Sequence, residues 1–197
     1  MKFLGVLLLI LGWTGAATGR AADDNDVTPL IFSPGHLKPV DSVLKVKVGE
    51  KAPTFSLPAV TGGRVALAGF RGRKNVLISF VPAAFTPVCS AQWPGYQLAR
   101  DMFDQRDVVL LGITTDNIPS LYAWTRAMGG VWFPVLSDFY PHGEVARKFG
   151  VLRSDGMAER ALFLVDKRGV IRWIDVHDIN QRPPLEDLEQ ALEKLPR

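Results

Sequence analysis

The chain has 197 residues, of which 47% are hydrophobic and 22% charged, so it is long enough for one domain with a full hydrophobic core and is not typical of a disordered, repeat or coiled-coil protein. Its formal net charge is only +3, and Lys2 and Arg20 account for two of these charges. Because no Lys/Arg cluster is interleaved with aromatic residues, we expect no nucleic-acid partner.

Residues 1–21 have the organisation of a secretory signal peptide. Lys2 gives a positive start, residues 3–13 are an apolar run, and small residues lead to a cleavage point near Ala21. An uncleaved membrane anchor is the alternative, but this run is too short for a bilayer that needs about 20 apolar residues. The sequence therefore predicts an exported protein, periplasmic or secreted, without stable membrane insertion.

The rest of the chain divides into a leader and one folded domain. Residues 22–45 are polar, contain Pro29, Pro34 and Pro39, and show little periodicity, which predicts a flexible leader or an extended arm. Residues 46–197 carry the periodic segments of the domain.

The domain begins with a predicted hairpin of residues 54–60 and 65–67. The elements predicted after it are strand 75–81, a helix after Cys89, strand 108–115, a helix from a cap at Asp116 or Asn117 to Met128, strand 132–138, helix 142–149, hairpin strands 160–165 and 170–176, and a helix with Leu185, Leu188, Leu192 and Leu195 on one face. This order predicts an α/β fold, a central mixed β-sheet flanked by helices in three layers.

Cys89 is the only cysteine, and it lies where strand 75–81 passes into a helix. The first N–H groups of a helix are unpaired and its dipole is positive there, so a thiolate at this position is stabilised. In an exported chain, a lone thiol is buried and inert, paired with another molecule, or kept for its reactivity. Its location favours reactivity.

The residues around Cys89 suit attack on a peroxide bond. Pro82, Thr86 and Cys89 are spaced i, i+4, i+7 around the corner between strand and helix. The Thr86 hydroxyl can both accept from and donate to a peroxide oxygen, and Pro82 can shield sulfur without offering an N–H. An arginine is needed to hold the thiolate and to meet the charge of the transition state. Arg160, at the start of an apolar strand, is the candidate, and an exposed strand-end arginine is the alternative.

The pattern Pro82-x-x-x-Thr86-x-x-Cys89 resembles the active-site signature of the peroxiredoxins, and residues 84–90 are similar to the AhpC/TSA branch of that family. Three further segments resemble the family in the same order: residues 48–57, 136–151 and 160–169. The resemblance thus extends from Val48 to the C-terminus. It implies a thioredoxin-like fold with an N-terminal β-hairpin extension.

The resemblance also implies a thiol peroxidase without a cofactor. Cys89 would be oxidised to sulfenic acid by hydrogen peroxide or an organic hydroperoxide, while Thr86 and Arg160 orient the substrate with help from the N–H groups of Val88 and Cys89. The candidates for lining the hydroperoxide pocket or a subunit contact in a homodimer are Phe85, Trp93, Phe139 and Tyr140. Packing in the core is the alternative for each of them, and the one that the residue types favour.

Two departures from the family pattern matter. Gln92 stands where the family often has an acid, and its carbonyl can accept from Arg160 without bringing charge. No second cysteine is present, so the sulfenic acid must be reduced by an external thiol, from a thioredoxin-like or glutaredoxin-like protein or a low-molecular-weight compound. The three histidines are scattered along the chain, so we expect no metal site.

A protein that does not turn over substrate is the alternative function. It would keep the fold and act as a thiol redox sensor or as a relay that passes oxidation to a partner. Pro82, Thr86 and Arg160 favour turnover, because a docking protein has no use for all three.

Overall fold

A computed structural model describes residues 27–195, and the predicted signal peptide at residues 1–21 lies outside the described residues. Short 3₁₀ turns occur at Thr28–Leu30 and Leu67–Phe70. The strands and helices are β1 (Ser56–Pro58), β2 (Arg64–Ala66), β3 (Asn75–Phe80), α1 (Pro87–Leu98), α2 (Arg100–Gln105), β4 (Val108–Thr114), α3 (Ile118–Ala127), β5 (Val135–Ser137), α4 (Glu144–Phe149), β6 (Arg160–Val165), β7 (Ile171–His177) and α5 (Leu185–Glu193). Within the described residues, no helix has the length and apolar character needed to cross a bilayer.

The central sheet has the strand order β5-β4-β3-β6-β7. Strand β3 is parallel to β4, and β4 is parallel to β5, whereas β6 is antiparallel to both β3 and β7. Strands β1 and β2 form a separate antiparallel hairpin. The predicted α/β fold with a mixed central sheet and an N-terminal hairpin is therefore confirmed.

Strand β3 shows how the two faces of the sheet are covered. Val76, Ile78 and Phe80 belong to one hydrophobic cluster, which includes residues of α4 and the β1–β2 hairpin. Leu77 and Val81 belong to a second cluster, with residues of α1, α2, α3 and α5. Because successive side chains of a strand point to opposite faces, a continuous apolar run supplies both clusters.

Two small residues on neighbouring strands position helix α1 on the sheet. Ser79 of β3 pairs in register with Gly112 of β4, and Trp93 of α1 packs against Gly112. The Trp93 Nε1–H donates to Ser79 Oγ at 3.3 Å. The Trp93 ring also lies 4.8 Å from the Trp124 ring and 5.7 Å from the Phe133 ring, centroid to centroid. A larger side chain at either strand position would push α1 away from the sheet.

Residues 27–45, which we call the N-terminal arm, follow an irregular path along the domain. The backbone N–H groups of Asp41 and Ser42 donate to Glu159 Oε1 at 2.6 and 2.9 Å. Glu159 is fully buried, and its Oε2 accepts from Arg153 Nη1 at 2.7 Å. A buried carboxylate needs donors, and the arm supplies two of them. The described residues of the predicted leader are therefore attached to the domain. The sequence did not indicate this attachment, because low periodicity predicts a lack of helices and strands and gives no information on tertiary contacts.

We predict that Gly112→Ala lowers the free energy of unfolding by about 1–3 kcal/mol, because an overpacked core is strained. A Cβ at Gly112 would lie 2.7 Å from Trp93 Cζ2 and 3.1 Å from Phe133 Cε2. Urea denaturation measures the change. Gly69→Ala is the control, since a Cβ there meets nothing within 4 Å. Equal stability of the two variants would contradict the packing described for Trp93.

Candidate active site

Cys89 lies in the first turn of α1, directly after the loop of residues 81–86 that follows β3. Thr86 is the N-cap residue, with extended φ and ψ, and Ser90 N–H donates to its carbonyl at 2.9 Å. As early residues of the helix, Val88 and Cys89 have N–H groups without intrahelical acceptors. The Cys89 side chain is fully buried. The single thiol therefore combines a helix N-terminus with exclusion from bulk water.

The loop before α1 holds an unusual backbone conformation. Phe85 has φ 55°, a left-handed value that is uncommon for a residue other than glycine. Two contacts stabilise the loop: Ala84 N–H donates to Asp116 Oδ2, and Phe32 N–H of the arm donates to the Phe85 carbonyl, at 2.9 and 2.8 Å. Asn117 rather than Asp116 caps α3, accepting from Ser120 N–H at 3.0 Å. Asp116 is thus available to hold the loop.

Arg160 reaches Cys89 because of the strand order. Strand β6 is antiparallel to β3, with Ala161 opposite Phe80, so Arg160 lies just beyond the end of β3, where the loop begins. Its side chain is 1% exposed. Its Nη2 lies 3.5 Å from Cys89 Sγ, and its Nη1 donates to Gln92 Oε1 at 2.5 Å. The alternative expectation, an exposed arginine at the end of a strand, is therefore wrong.

The other partner of the Arg160 guanidinium is a backbone carbonyl. Ile179 O accepts from Nε at 3.2 Å and from Nη2 at 2.9 Å. Within residues 27–195, no carboxylate hydrogen-bonds to this guanidinium. Neutral acceptors offset only part of the cost of burying a cation. Cys89 Sγ is the third partner of the guanidinium, so the sulfur lies directly against a buried positive charge.

Gln92 is held in one orientation by Tyr96. The Gln92 Nε2 group donates to the Tyr96 hydroxyl at 2.9 Å, so Oε1 faces Arg160. Burial raises the pKa of Tyr96 to about 12, which keeps its hydroxyl neutral. The buried chain of hydrogen bonds from Tyr96 through Gln92 to Arg160 therefore carries a single charge, on Arg160. The i, i+4 spacing of Gln92 and Tyr96 on one helix face is a signal that sequence reasoning did not use.

A pocket of about 240 Å³ lies beside these residues. It is lined by Ser33, Pro34, Gly35, His36, Leu37, Pro82, Thr86, Pro87, Val88, Met157, Arg160, Ile179 and Asn180. The Thr86 Oγ1–H donates to Ala83 O at 2.9 Å, so the hydroxyl oxygen keeps lone-pair capacity for a donor in the pocket. The pocket combines an apolar wall with the arginine that contacts sulfur.

The structure brings most of the predicted site residues together. Arg160 contacts both Cys89 and Gln92. The adjoining pocket is lined by Pro82, Thr86 and Val88. Phe85 does not line it, and instead packs half-buried against the hydrophobic cluster that contains α1.

Sequence reasoning missed several residues of the site, which are Tyr96, Ile179, Asn180 and residues 33–37 of the arm. Apart from the spacing of Tyr96, none carried a motif that could have revealed it. Within the described part of the chain, no group of three or more His, Cys, Asp or Glu side chains could hold a metal ion.

Residues 48–174 match the model of the AhpC/TSA family. The chain is 37% identical over 132 residues to alkyl hydroperoxide reductase E of Mycobacterium tuberculosis, covering 66% of this chain and 86% of that protein. It is 34% identical over 156 residues to peroxiredoxin TSA1 of Saccharomyces cerevisiae, covering 74% and 76%. Among solved structures, reduced 2-Cys peroxiredoxin of Plasmodium vivax superposes with a TM-score of 0.70 at 30% identity, covering 75% of this chain and 81% of that one. These likenesses confirm the thioredoxin-like fold.

We predict that Gln92→Glu slows alkylation of Cys89 by iodoacetamide at pH 7 by roughly tenfold, about 1.4 kcal/mol. The added carboxylate would pair with Arg160, so less of the positive charge of the guanidinium would act on the sulfur during alkylation. Gln97→Glu is the matched control, because it adds the same charge on the exposed face of α1. Alkylation of Gln92→Glu as fast as that of Gln97→Glu would show that Arg160 does not govern the sulfur.

Proposed function

The chain belongs to the AhpC/TSA family and is a peroxiredoxin-type thiol peroxidase, and from that premise we propose that it works with one cysteine. In the proposed cycle, Cys89 reduces hydrogen peroxide or an organic hydroperoxide and is restored by a thiol from another molecule. The contact between Cys89 Sγ and the buried Arg160 guanidinium, 3.5 Å apart, is the observation that carries the proposal.

In the first half-reaction the Cys89 thiolate attacks the terminal oxygen of the hydroperoxide. An S–O bond forms and the O–O bond breaks, so sulfur is oxidised to sulfenic acid. The leaving oxygen departs as hydroxide or alkoxide and takes a proton from water, giving water or an alcohol. Arg160 stabilises both the thiolate and the charge that develops on the leaving oxygen, and Thr86 accepts from the hydroperoxide O–H.

The size of the pocket supports organic hydroperoxides as substrates beside hydrogen peroxide. A volume of about 240 Å³ exceeds what hydrogen peroxide requires, since one water needs only about 10–15 Å³ by the same measure. Pro34, Leu37, Val88 and Met157 give the pocket apolar surface for an organic group.

In the second half-reaction an external thiol attacks the sulfur of the sulfenic acid and releases water, which leaves a mixed disulfide. A second thiol then restores Cys89 and departs as the oxidised disulfide. The chain has one cysteine, so no step can form a disulfide within it. The donor is a thioredoxin-like or glutaredoxin-like protein or a low-molecular-weight thiol, and a homodimer stays a prediction.

We predict that the full chain consumes hydrogen peroxide continuously with dithiothreitol as the reductant, whereas Cys89→Ser does not exceed dithiothreitol alone. Without reductant, dimedone should trap one sulfenic acid at Cys89, located by peptide mass spectrometry. If the wild type consumes peroxide no faster than Cys89→Ser, the enzyme proposal is lost. Oxidation by one equivalent without turnover would instead favour the redox sensor or relay.

We also infer export, which rests on the sequence of residues 1–21 alone. The protein recovered from its own cells should begin at or near Ala22 when its N-terminus is determined by mass spectrometry. Leu8→Arg interrupts the apolar run and should leave the N-terminus uncleaved. A mature protein that retains residues 1–21 would overturn this inference.

A further inference from the structure

The N-terminal arm forms one wall of the pocket beside Cys89. Residues 33–37 line it on one side, and Thr86, Val88 and Arg160 line it on another. The arm is far from these residues in sequence, so its presence here depends on specific tertiary contacts.

The arm is fastened beside the pocket by Asn180. Leu37 N–H donates to Asn180 Oδ1 at 2.9 Å, and Asn180 Nδ2 donates back to Leu37 O at 2.8 Å. One amide side chain thus satisfies both backbone polar groups of Leu37. Asp178 Oδ1 accepts from Asn180 N–H and Nδ2, at 2.9 and 2.7 Å, which fixes the amide in turn. A third bond joins Ile179 N–H to Pro39 O at 3.0 Å.

The same short segment holds the arginine of the site. Ile179 N–H is bound to the arm, while Ile179 O accepts two hydrogen bonds from the Arg160 guanidinium. A continuous path therefore runs from the arm through Asn180 and Ile179 to Arg160 and then to Cys89 Sγ. The Ile179 carbonyl and the Asn180 N–H belong to one planar peptide, so a shift of the Asn180 backbone also moves the carbonyl that orients Arg160.

We propose that residues 33–39 of the arm are a working part of the active site and that Asn180 is a positioning residue for the peroxidase reaction. The arm completes the wall against which the organic group of a hydroperoxide packs, and Asn180 and Ile179 hold Arg160 against sulfur. This inference rests on the proposed function and extends it, because it assigns substrate selection to a segment outside the matched family region at residues 48–174.

Variants of Leu37 and Asn180 separate the two proposed roles of the arm, which are to form the wall of the pocket and to hold Arg160 in place. Asn180 binds only the backbone of Leu37, so Leu37→Ala keeps the attachment and shortens the wall. Asn180→Ala removes both hydrogen bonds of the attachment. Asn180→Asp keeps an acceptor for Leu37 N–H but loses the donor to Leu37 O and to Asp178 Oδ1, and it places a second carboxylate against Asp178.

The experiment measures second-order rate constants for oxidation by hydrogen peroxide and by cumene hydroperoxide, followed by tryptophan fluorescence. We expect Asn180→Ala to lower both roughly 10- to 100-fold, since small misplacements of a catalytic group are costly, and Asn180→Asp to lower both at least as much because its carboxylate repels that of Asp178. Leu37→Ala should lower the constant for cumene hydroperoxide about tenfold more than that for hydrogen peroxide. Hydrogen exchange at the Leu37 amide should accelerate in Asn180→Ala.

Two control variants distinguish an effect on the active site from a general loss of stability. Gln105→Ala changes an exposed amide side chain that does not line the pocket, and Leu30→Ala shortens an exposed leucine of the arm that does not line it either. Both should react like the wild type. If Asn180→Ala and Leu37→Ala also react like an active wild type, the inference fails and the proposed function stands. If the wild type is no faster than Cys89→Ser, both fall together.

Discussion

The buried guanidinium of Arg160 is the constraint on which the site depends. Its contacts are Gln92 Oε1, Ile179 O and Cys89 Sγ, two neutral acceptors and one ionisable atom. Arg160 is only 1% exposed, and neutral oxygens offset only part of the hydration that its guanidinium loses on burial. The remaining partner is Cys89 Sγ, 3.5 Å from Nη2. The fold therefore holds a buried positive charge against the one sulfur that the proposed reaction uses.

Sheet topology brings the arginine and the sulfur together from distant parts of the chain. The end of β3 and the beginning of β6 lie at one edge of the sheet because the two strands are antiparallel. The distance of helix α1 from the sheet is determined by Trp93, which packs into the space left by the small residues Ser79 and Gly112. The position of Cys89 relative to Arg160 is thus determined by packing on the helix side of the sheet as much as by polar contacts within the site.

The fold and the local part of the site could be predicted, because both depend on short-range patterns. Apolar runs indicated the strands, and Pro82, Thr86 and Cys89 lie within eight residues of one another. Asn180 and Ile179 could not be predicted in the same way. Asn180 binds Leu37 across 143 residues, and Ile179 contributes a backbone carbonyl, which every residue possesses. The polar, proline-containing arm was predicted to lack regular structure, and its contacts with Asn180 and Ile179 are made by backbone groups that no side-chain pattern encodes.

A single cysteine is consistent with a site in which the sulfur of that cysteine is buried. A resolving cysteine in the same chain would need its Cα within about 4.4–6.8 Å of that of Cys89, which requires either an adjacent element or a large movement of α1. A thiol from outside needs only a path to sulfur. The pocket between the arm and Thr86, Val88 and Arg160 adjoins the buried Cys89 through Val88 and Arg160, and it holds the hydroperoxide in the proposed cycle. The arm at this pocket therefore stands where both half-reactions of such a cycle would begin, and its attachment through Asn180 bears on each of them.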